Sequence, residues 1–218
     1  MIAGVDEAGR GPVIGPLVVA GLTVEDDDAL VNMHVRDSKK LSPAKRRFLA
    51  KKVKESAISY EIIAIAASDI DDMRKVMTLN EIEVHAFSRV IKKLKPHVCY
   101  VDAADVDGDR FGRDILSQLS FKPEMVSKHK ADDLYPIVSA ASILAKTTRD
   151  AEIEKIAQIL EKKISLPLGS GYPADPITQI FLKAWVDRFG TLPPHVRHSW
   201  KTAKVLIKNH NTKTLDKF

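Results

Sequence analysis

Five short apolar runs, rich in Val, Ile and Ala and set apart by stretches of helical periodicity, leave this chain few ways to fold. The runs are Ile2–Val5, Val13–Val24, Tyr60–Ala67, His97–Val101 and Pro123–Ser127, with Gly and Pro at several joints. Short links between the early runs predict antiparallel neighbours. Between the second and third run a helix is expected, with Ser42 as its cap and Pro43 in its first turn. Leu79, Ile82, Ala86, Phe87, Val90, Ile91 and Leu94 recur at helical spacing until Pro96 stops them. Further helices are expected from Asp109, from Tyr135 to about Lys163, from Asp175-Pro176 to Phe189, and over Ser199–Lys208. The order predicts an α/β fold, a mixed five-stranded sheet flanked by helices, with a helical C-terminal extension.

The 218 residues suit one large domain or one domain with a small appendage, and 44% hydrophobic residues supply a core. Cys99 is the single cysteine, so no internal disulfide forms, and its apolar neighbours predict a buried thiol in a reducing cytoplasm. No secretory signal is visible. The apolar stretch Val13–Leu22 carries Gly15 and Pro16 and is too short to span a bilayer, so no membrane association is expected.

Chemistry enters where the apolar runs stop. Asp6-Glu7 follow the first run directly, and Gly9-Arg10-Gly11-Pro12 follow them. Adjacent carboxylates suit hard cations. Glycines allow backbone N–H groups close to a phosphodiester strand, and an arginine offers a fork of donors to phosphate. An acidic turn between two strands is the plainer reading of the same residues. Asp102 ends the fourth run, and Lys130-Ala131-Asp132-Asp133 follow the fifth. Strand ends are where α/β proteins build their sites, and clustered carboxylates repel one another unless cations neutralise them. Charge is unevenly spread. Arg36 to Lys54 holds nine Lys or Arg and one acid, and His195 to Phe218 holds six and one. Basic surfaces on an otherwise acidic chain fit a metal-using nuclease. A nucleotide-phosphate loop is a weak reading of Gly9-Arg10-Gly11, because the Gly-Lys-Ser/Thr ending is missing.

Five blocks carry a resemblance: Asp6-Glu7-Ala8-Gly9-Arg10-Gly11-Pro12; Asp37-Ser38-Lys39-Lys40-Leu41; Tyr100-Val101-Asp102; Lys130-Ala131-Asp132 with Tyr135-Pro136 and Ser139-Ala140-Ala141-Ser142-Ile143-Leu144-Ala145-Lys146; and Gly169-Ser170-Gly171-Tyr172-Pro173. In this order the chain resembles ribonuclease HII, the type 2 ribonuclease H, in its archaeal form, from residue 2 to about residue 202. The resemblance implies a ribonuclease H-like fold, with a catalytic domain over 1–165 and a helical substrate-binding extension over 166–218. It implies a metal-dependent endonuclease using Mg²⁺ or Mn²⁺, and a monomer is expected. The enzyme would cut the RNA strand of RNA–DNA hybrids and duplex DNA containing single ribonucleotides, leaving 5′-phosphomonoesters. It maps the catalytic carboxylates onto Asp6, Glu7, Asp102 and Asp132. The family pattern puts the last acid three residues before the Tyr-Pro pair, which selects Asp132 and leaves Asp133 to cap the next helix. Asp6 and Glu7, being adjacent, share one site only if the strand ends or bulges there, or if a backbone carbonyl stands in for one side chain.

By the same resemblance Gly9-Arg10-Gly11 read the 2′-hydroxyl and adjoining phosphates, and Tyr172 stacks at the junction. Ser38, Lys39 and Lys40 are expected on phosphates, as are Arg197, His198 and Lys201. A junction resolvase or integrase of the same superfamily would share the carboxylates without needing a 2′-hydroxyl reader. A non-catalytic hybrid-binding protein would follow if the carboxylates failed to converge.

Overall fold

A computed structural model describes residues 1–35 and 42–215. Its central strand is the first apolar run, β1 (Ile2–Ala8). On one side β1 pairs antiparallel with β2 (Leu17–Val24), and on the other it pairs parallel with β4 (Val98–Asp102). The strand β3 (Ser59–Ile65) borders β2, and β5 (Glu124–Lys128) runs parallel to β4, giving the order β3-β2-β1-β4-β5. The helices are α1 (Asp28–Asn32), α2 (Pro43–Ser56), α3 (Ala67–Met73), α4 (Leu79–Leu94), α5 (Gly108–Ser117), α6 (Ala131–Leu134), α7 (Pro136–Ile164), α8 (Pro176–Phe189) and α9 (Lys201–Leu215). The expected mixed five-stranded sheet with flanking helices is present.

By contact the chain divides into two compact units. One holds Met1–Ala8, Val18–Ala64 and Met77–Thr148; the other holds Gly9–Leu17, Ile65–Val76 and Arg149–Phe218. In the first, every residue of β2 is buried, because both faces of the sheet are covered. Val18, Ala20, Leu22 and Val24 join Ala50 and Val53 of α2 and the start of α7 in one core. A methyl at Gly21 would meet Val90 and Leu94 of α4, which places that helix on the opposite face. Gly4 is required by closeness: a Cβ there would fall 2.4 Å from the Ile137 carbonyl. The small residues Ser139 to Ser142 therefore open a helix packed directly against β1.

In the second unit Val13 and Ile14 pack with Ile156 and Leu160 of α7, Phe181, Leu182 and Trp185 of α8, and Val196 and Ala203. Asp175 caps α8 by accepting from Ile177 N, and Gly190 ends it in the left-handed region.

Several boundaries differ from expectation for identifiable reasons. β1 runs past Val5 to Ala8 because β2 continues to pair with it through Ala8↔Val18. The second run does not start at Val13: Gly15 has φ +95°, Pro16 follows, and Ile14 makes an isolated bridge to Val196 instead. The third strand stops at Ile65, and α3 takes over. The last helix is longer than Ser199–Lys208 and begins at Lys201. Among the described residues no helix is long and apolar enough to cross a membrane.

Candidate active site

The parallel ladder between β1 and β4 ends at Val5↔Val101, so the next residues on each strand, Asp6 and Asp102, fall side by side. β5 then leads through Lys130, whose φ of 55° turns the chain into α6, and Asp132 lies in that short helix. Asp6, Asp102 and Asp132 each bring a carboxylate oxygen to a set in which all lie within 4.8 Å of one another. Asp6 and Asp132 are buried, and Asp102 is partly open. The backbone amides of Ala131 and Asp132 donate to the Asp102 carboxylate, which ties the helix start to the strand end.

Burial, followed by the charges of Glu7 and Asp102, pushes the Asp6 carboxyl well above its ordinary range; the Ser142 hydroxyl and the Lys146 ammonium oppose this. Burial and then the neighbouring Asp132 raise Asp102 as well. Lys146 Nζ is 3.9 Å from Asp132 Oδ2. Three crowded carboxylates of hard oxygen donors, faced by one lysine, fit a divalent cation.

Glu7 is not one of the three. No break occurs at the Asp6-Glu7 pair; the strand continues with Glu7↔Val19, and Glu7 N donates to Asp6 Oδ1 at 2.7 Å. Glu7 is half-buried, and its charge acts on Asp6. Asp133 is exposed and lies inside α6, its amide donating to the Lys130 carbonyl. Asp132 and Asp133 thus face different surroundings although they are neighbours.

The Gly9-Arg10-Gly11 turn belongs to the second unit. Gly9 has φ +92°, and a Cβ there would meet the Pro16 carbonyl at 2.5 Å. Arg197 is fully buried and donates from Nε to Gly15 O at 3.0 Å, from Nη1 to Arg10 O at 3.0 Å and from Nη2 to Gly9 O at 2.6 Å. Trp200 donates from Nε1 to Gly11 O at 3.2 Å, and its ring lies 4.7 Å from the Arg197 guanidinium. Burial, then the charge of Arg149, pulls the Arg197 guanidinium down to about 10, still charged at neutral pH.

Tyr172 is 42% exposed. The Arg149 guanidinium stacks 5.1 Å from its ring and donates to Ser170 O at 3.0 Å. Asp175 Oδ2 accepts from Ser170 N at 2.6 Å and from Ser170 Oγ at 2.7 Å. These bonds, the backbone one first, pull Asp175 down to about 2 and hold the Gly169-Tyr172 segment. Gly171 N donates to Thr178 Oγ1, and Gly171 O accepts from Val13 N.

The structure corrects one reading: Arg197 has no surface to offer phosphate, because its three nitrogens are spent on backbone carbonyls. His198 and Lys201 remain exposed. Ser38, Lys39 and Lys40 lie outside the described residues. Lys146, Arg149 and Asp71 were not foreseen as members of either group. Lys146 alone had a local signal, standing four residues after Ser142 and hence on the same helix face.

The family model described as ribonuclease HII matches residues 3–203. The chain is 46% identical to a ribonuclease HII of Methanococcoides burtonii, over 95% of this chain and 99% of that protein. It resembles the crystal structure of ribonuclease H2 from Pyrococcus horikoshii with a TM-score of 0.89 and 40% identity, covering 96% of this chain and 98% of that one. It also resembles the ribonuclease HII of a complex with PCNA from Archaeoglobus fulgidus, with a TM-score of 0.86 and 41% identity across 100% of both chains.

Proposed function

The chain belongs to the ribonuclease HII family, and on that premise we propose that it cuts both long RNA–DNA hybrids and duplex DNA carrying a single ribonucleotide, using a pair of divalent cations. Its class is that of the family: a ribonuclease H, an endonuclease that hydrolyses RNA paired with DNA. The observation that carries the metal-dependent reading is the convergence of Asp6, Asp102 and Asp132 within 4.8 Å, with Asp6 and Asp102 raised by burial and then by neighbouring carboxylates.

Asp6, Asp102 and Asp132 would hold the metal, Mg²⁺ or Mn²⁺, with Glu7 completing the ligand set. Bound there, divalent cations would activate water and offset charge at the departing 3′ oxygen, chemistry that yields a 5′-phosphomonoester. Lys146 sets a positive charge beside Asp132 and opposes the rise of the Asp6 carboxyl. Asp102 is oriented by the two amides of α6. Gly9-Arg10-Gly11 and Tyr172 act on the ribonucleotide, the turn through backbone donors and the tyrosine by stacking. Residues 1–165 act as the catalytic part and 166–218 as a substrate-binding extension. The exposed cations of α2, together with Ser38, Lys39 and Lys40, follow the phosphate backbone. The protein acts as a monomer in the cytoplasm.

The test is cleavage of a DNA duplex carrying one ribonucleotide, with and without Mg²⁺, beside an all-DNA junction. Mg²⁺-dependent cutting at the ribonucleotide alone supports the proposal. Cutting of the all-DNA junction would move the chain towards the resolvases, and binding without cutting would make it a hybrid-binding protein.

A further inference from the structure

We propose that Arg197 is a positioning residue that aims two consecutive backbone amides of the Gly9-Arg10-Gly11 turn at the substrate. The inference rests on the reading above that this turn meets the ribonucleotide. It assigns the recognition to a direction imposed from beneath the turn by a side chain that never touches nucleic acid.

Each carbonyl of the turn accepts from a side-chain donor. Arg197 takes those of Gly9 and Arg10, and Trp200 takes that of Gly11. No peptide bond among the described residues is cis. In a trans peptide the carbonyl of one residue and the N–H of the next point in opposite directions. Drawing the Gly9 and Arg10 carbonyls down onto the guanidinium therefore turns the N–H groups of Arg10 and Gly11 the other way. The third peptide has no donor to lose, because Pro12 carries no N–H. The result is a pair of adjacent amides facing away from Arg197, an arrangement that receives an oxygen carrying negative charge or a lone pair.

Arginine suits this task for geometric reasons. Its planar fork reaches three carbonyls at fixed angles, whereas an ammonium is a point with freely rotating donors. The fork is itself held. Asp71 of α3 accepts from His198 N at 2.6 Å, from Ser199 N at 2.9 Å and from Ser199 Oγ at 2.6 Å. These residues lie between Arg197 and Trp200, so both donors hang from one fixed segment. The Trp200 ring beneath the guanidinium compensates part of the cost of burying its charge.

The experiment uses full-length protein and the variants Arg197→Lys, Trp200→Phe and Gly11→Ala. Affinity is measured without divalent cation for two duplexes of one sequence, one all-DNA and one with a single ribonucleotide. kcat and KM for the ribonucleotide duplex are then measured with Mg²⁺. Arg197→Lys should bring the two affinities together and lower kcat/KM by about tenfold to a hundredfold. All-DNA affinity and its salt dependence should stay as in the parent. A retained preference in a folded Arg197→Lys overturns the proposal, and so does weaker all-DNA binding with a flatter salt dependence, which marks a phosphate ligand.

If Arg197→Lys loses its circular dichroism signature, Trp200→Phe decides. It keeps the ring under the guanidinium and removes the donor to Gly11 O. A smaller loss of preference in the same direction supports the proposal, and an unchanged preference overturns it. Gly11→Ala separates the role of the turn from the positioning role of Arg197. A Cβ there meets the Tyr172 ring at an ordinary 3.6 Å and tests the turn directly. If Gly11→Ala erases the preference and Arg197→Lys does not, the positioning role fails and the reading of the turn stands. If the parent shows no preference, or Gly11→Ala leaves it intact, the reading of the turn fails and the positioning role with it.

Discussion

Lys146 Nζ stands 3.9 Å from Asp132 Oδ2, placing one ammonium against a set of three converging carboxylates. The lysine is partly exposed, so its attraction is screened and modest. It nonetheless opposes the rise of the Asp6 carboxyl. Lys146→Gln should lower the melting temperature in the absence of divalent cation at neutral pH. The upward shift on adding Mg²⁺ should grow, because the cation then relieves more repulsion. Thermal melts with and without Mg²⁺ check this; an unchanged shift would detach Lys146 from the carboxylates.

Asp6 and Asp102 are held above their ordinary range, first by burial and then by neighbouring carboxylates. Their folded values exceed their unfolded ones. The stability they contribute is therefore complete below the unfolded value near about 4 and is lost as pH rises through the raised folded values. Without divalent cation, the parent should lose stability relative to Asp6→Asn as pH rises from about 4. Saturating Mg²⁺ should reverse the order, since the variant lacks a ligand. The measured quantity is the difference in melting temperature, about 2–4 °C per kcal/mol for a chain of this size. Taking a difference matters because Asp175 and Asp105, both lowered by hydrogen bonds, titrate in the opposite sense.

Asp132→Asn should cost at least about tenfold more in rate than Asp133→Asn, or roughly 1.4 kcal/mol of barrier. The first side chain is buried among the carboxylates, and the second is exposed. Single-turnover cleavage under Mg²⁺ measures both. A larger loss at Asp133 would place the acid one residue along.

Tyr172→Phe keeps the ring under Arg149, and Tyr172→Ala removes it. If stacking is the tyrosine's contribution, Phe retains most activity on a single-ribonucleotide duplex. Ala should lose about tenfold or more, the scale of one base-stacking contact. Long hybrids should suffer less. Negligible effects of both variants on both substrates would remove Tyr172 from recognition.

Lys45 and Arg47 are exposed on α2. Replacing both with Ala should weaken binding to every duplex alike and reduce the salt slope by about two. A fluorescence titration across salt concentrations reads the slope, and a constant slope would put α2 away from the nucleic acid.

How far the sequence anticipated the structure depends on how local each signal was. Ser42-Pro43 and the apolar stripe from Leu79 to Leu94 predicted α2 and α4 well, because caps and helical periodicity are written within one segment. Asp6 and Asp102 were visible as acids at the ends of apolar runs. Glu7 was expected to share the site with Asp6 through a strand end, a bulge or a backbone carbonyl; pairing by β2 carries β1 unbroken to Ala8. α3 was hidden because Ala67 to Met73 continues an apolar run and then becomes acidic, with no cap hydrogen bond to mark its start. Arg197 was misread for a physical reason. A cation in a basic stretch belongs by default to the surface, and the carbonyls that pull it inside come from residues 9, 10 and 15, far away in sequence.

The closeness of β1 and α7 gives the acidic cluster a mechanical gauge. At residue 4 the spacing between strand and helix is set by a missing atom, for one methyl would collide with the Ile137 backbone at 2.4 Å. Asp6 rides on that strand two residues ahead, and Ser142 and Lys146 ride on that helix. The smallest possible apolar change at Gly4 thus becomes a change in how far apart the charged groups stand. An uncharged position thereby bears on the spacing of the acidic cluster.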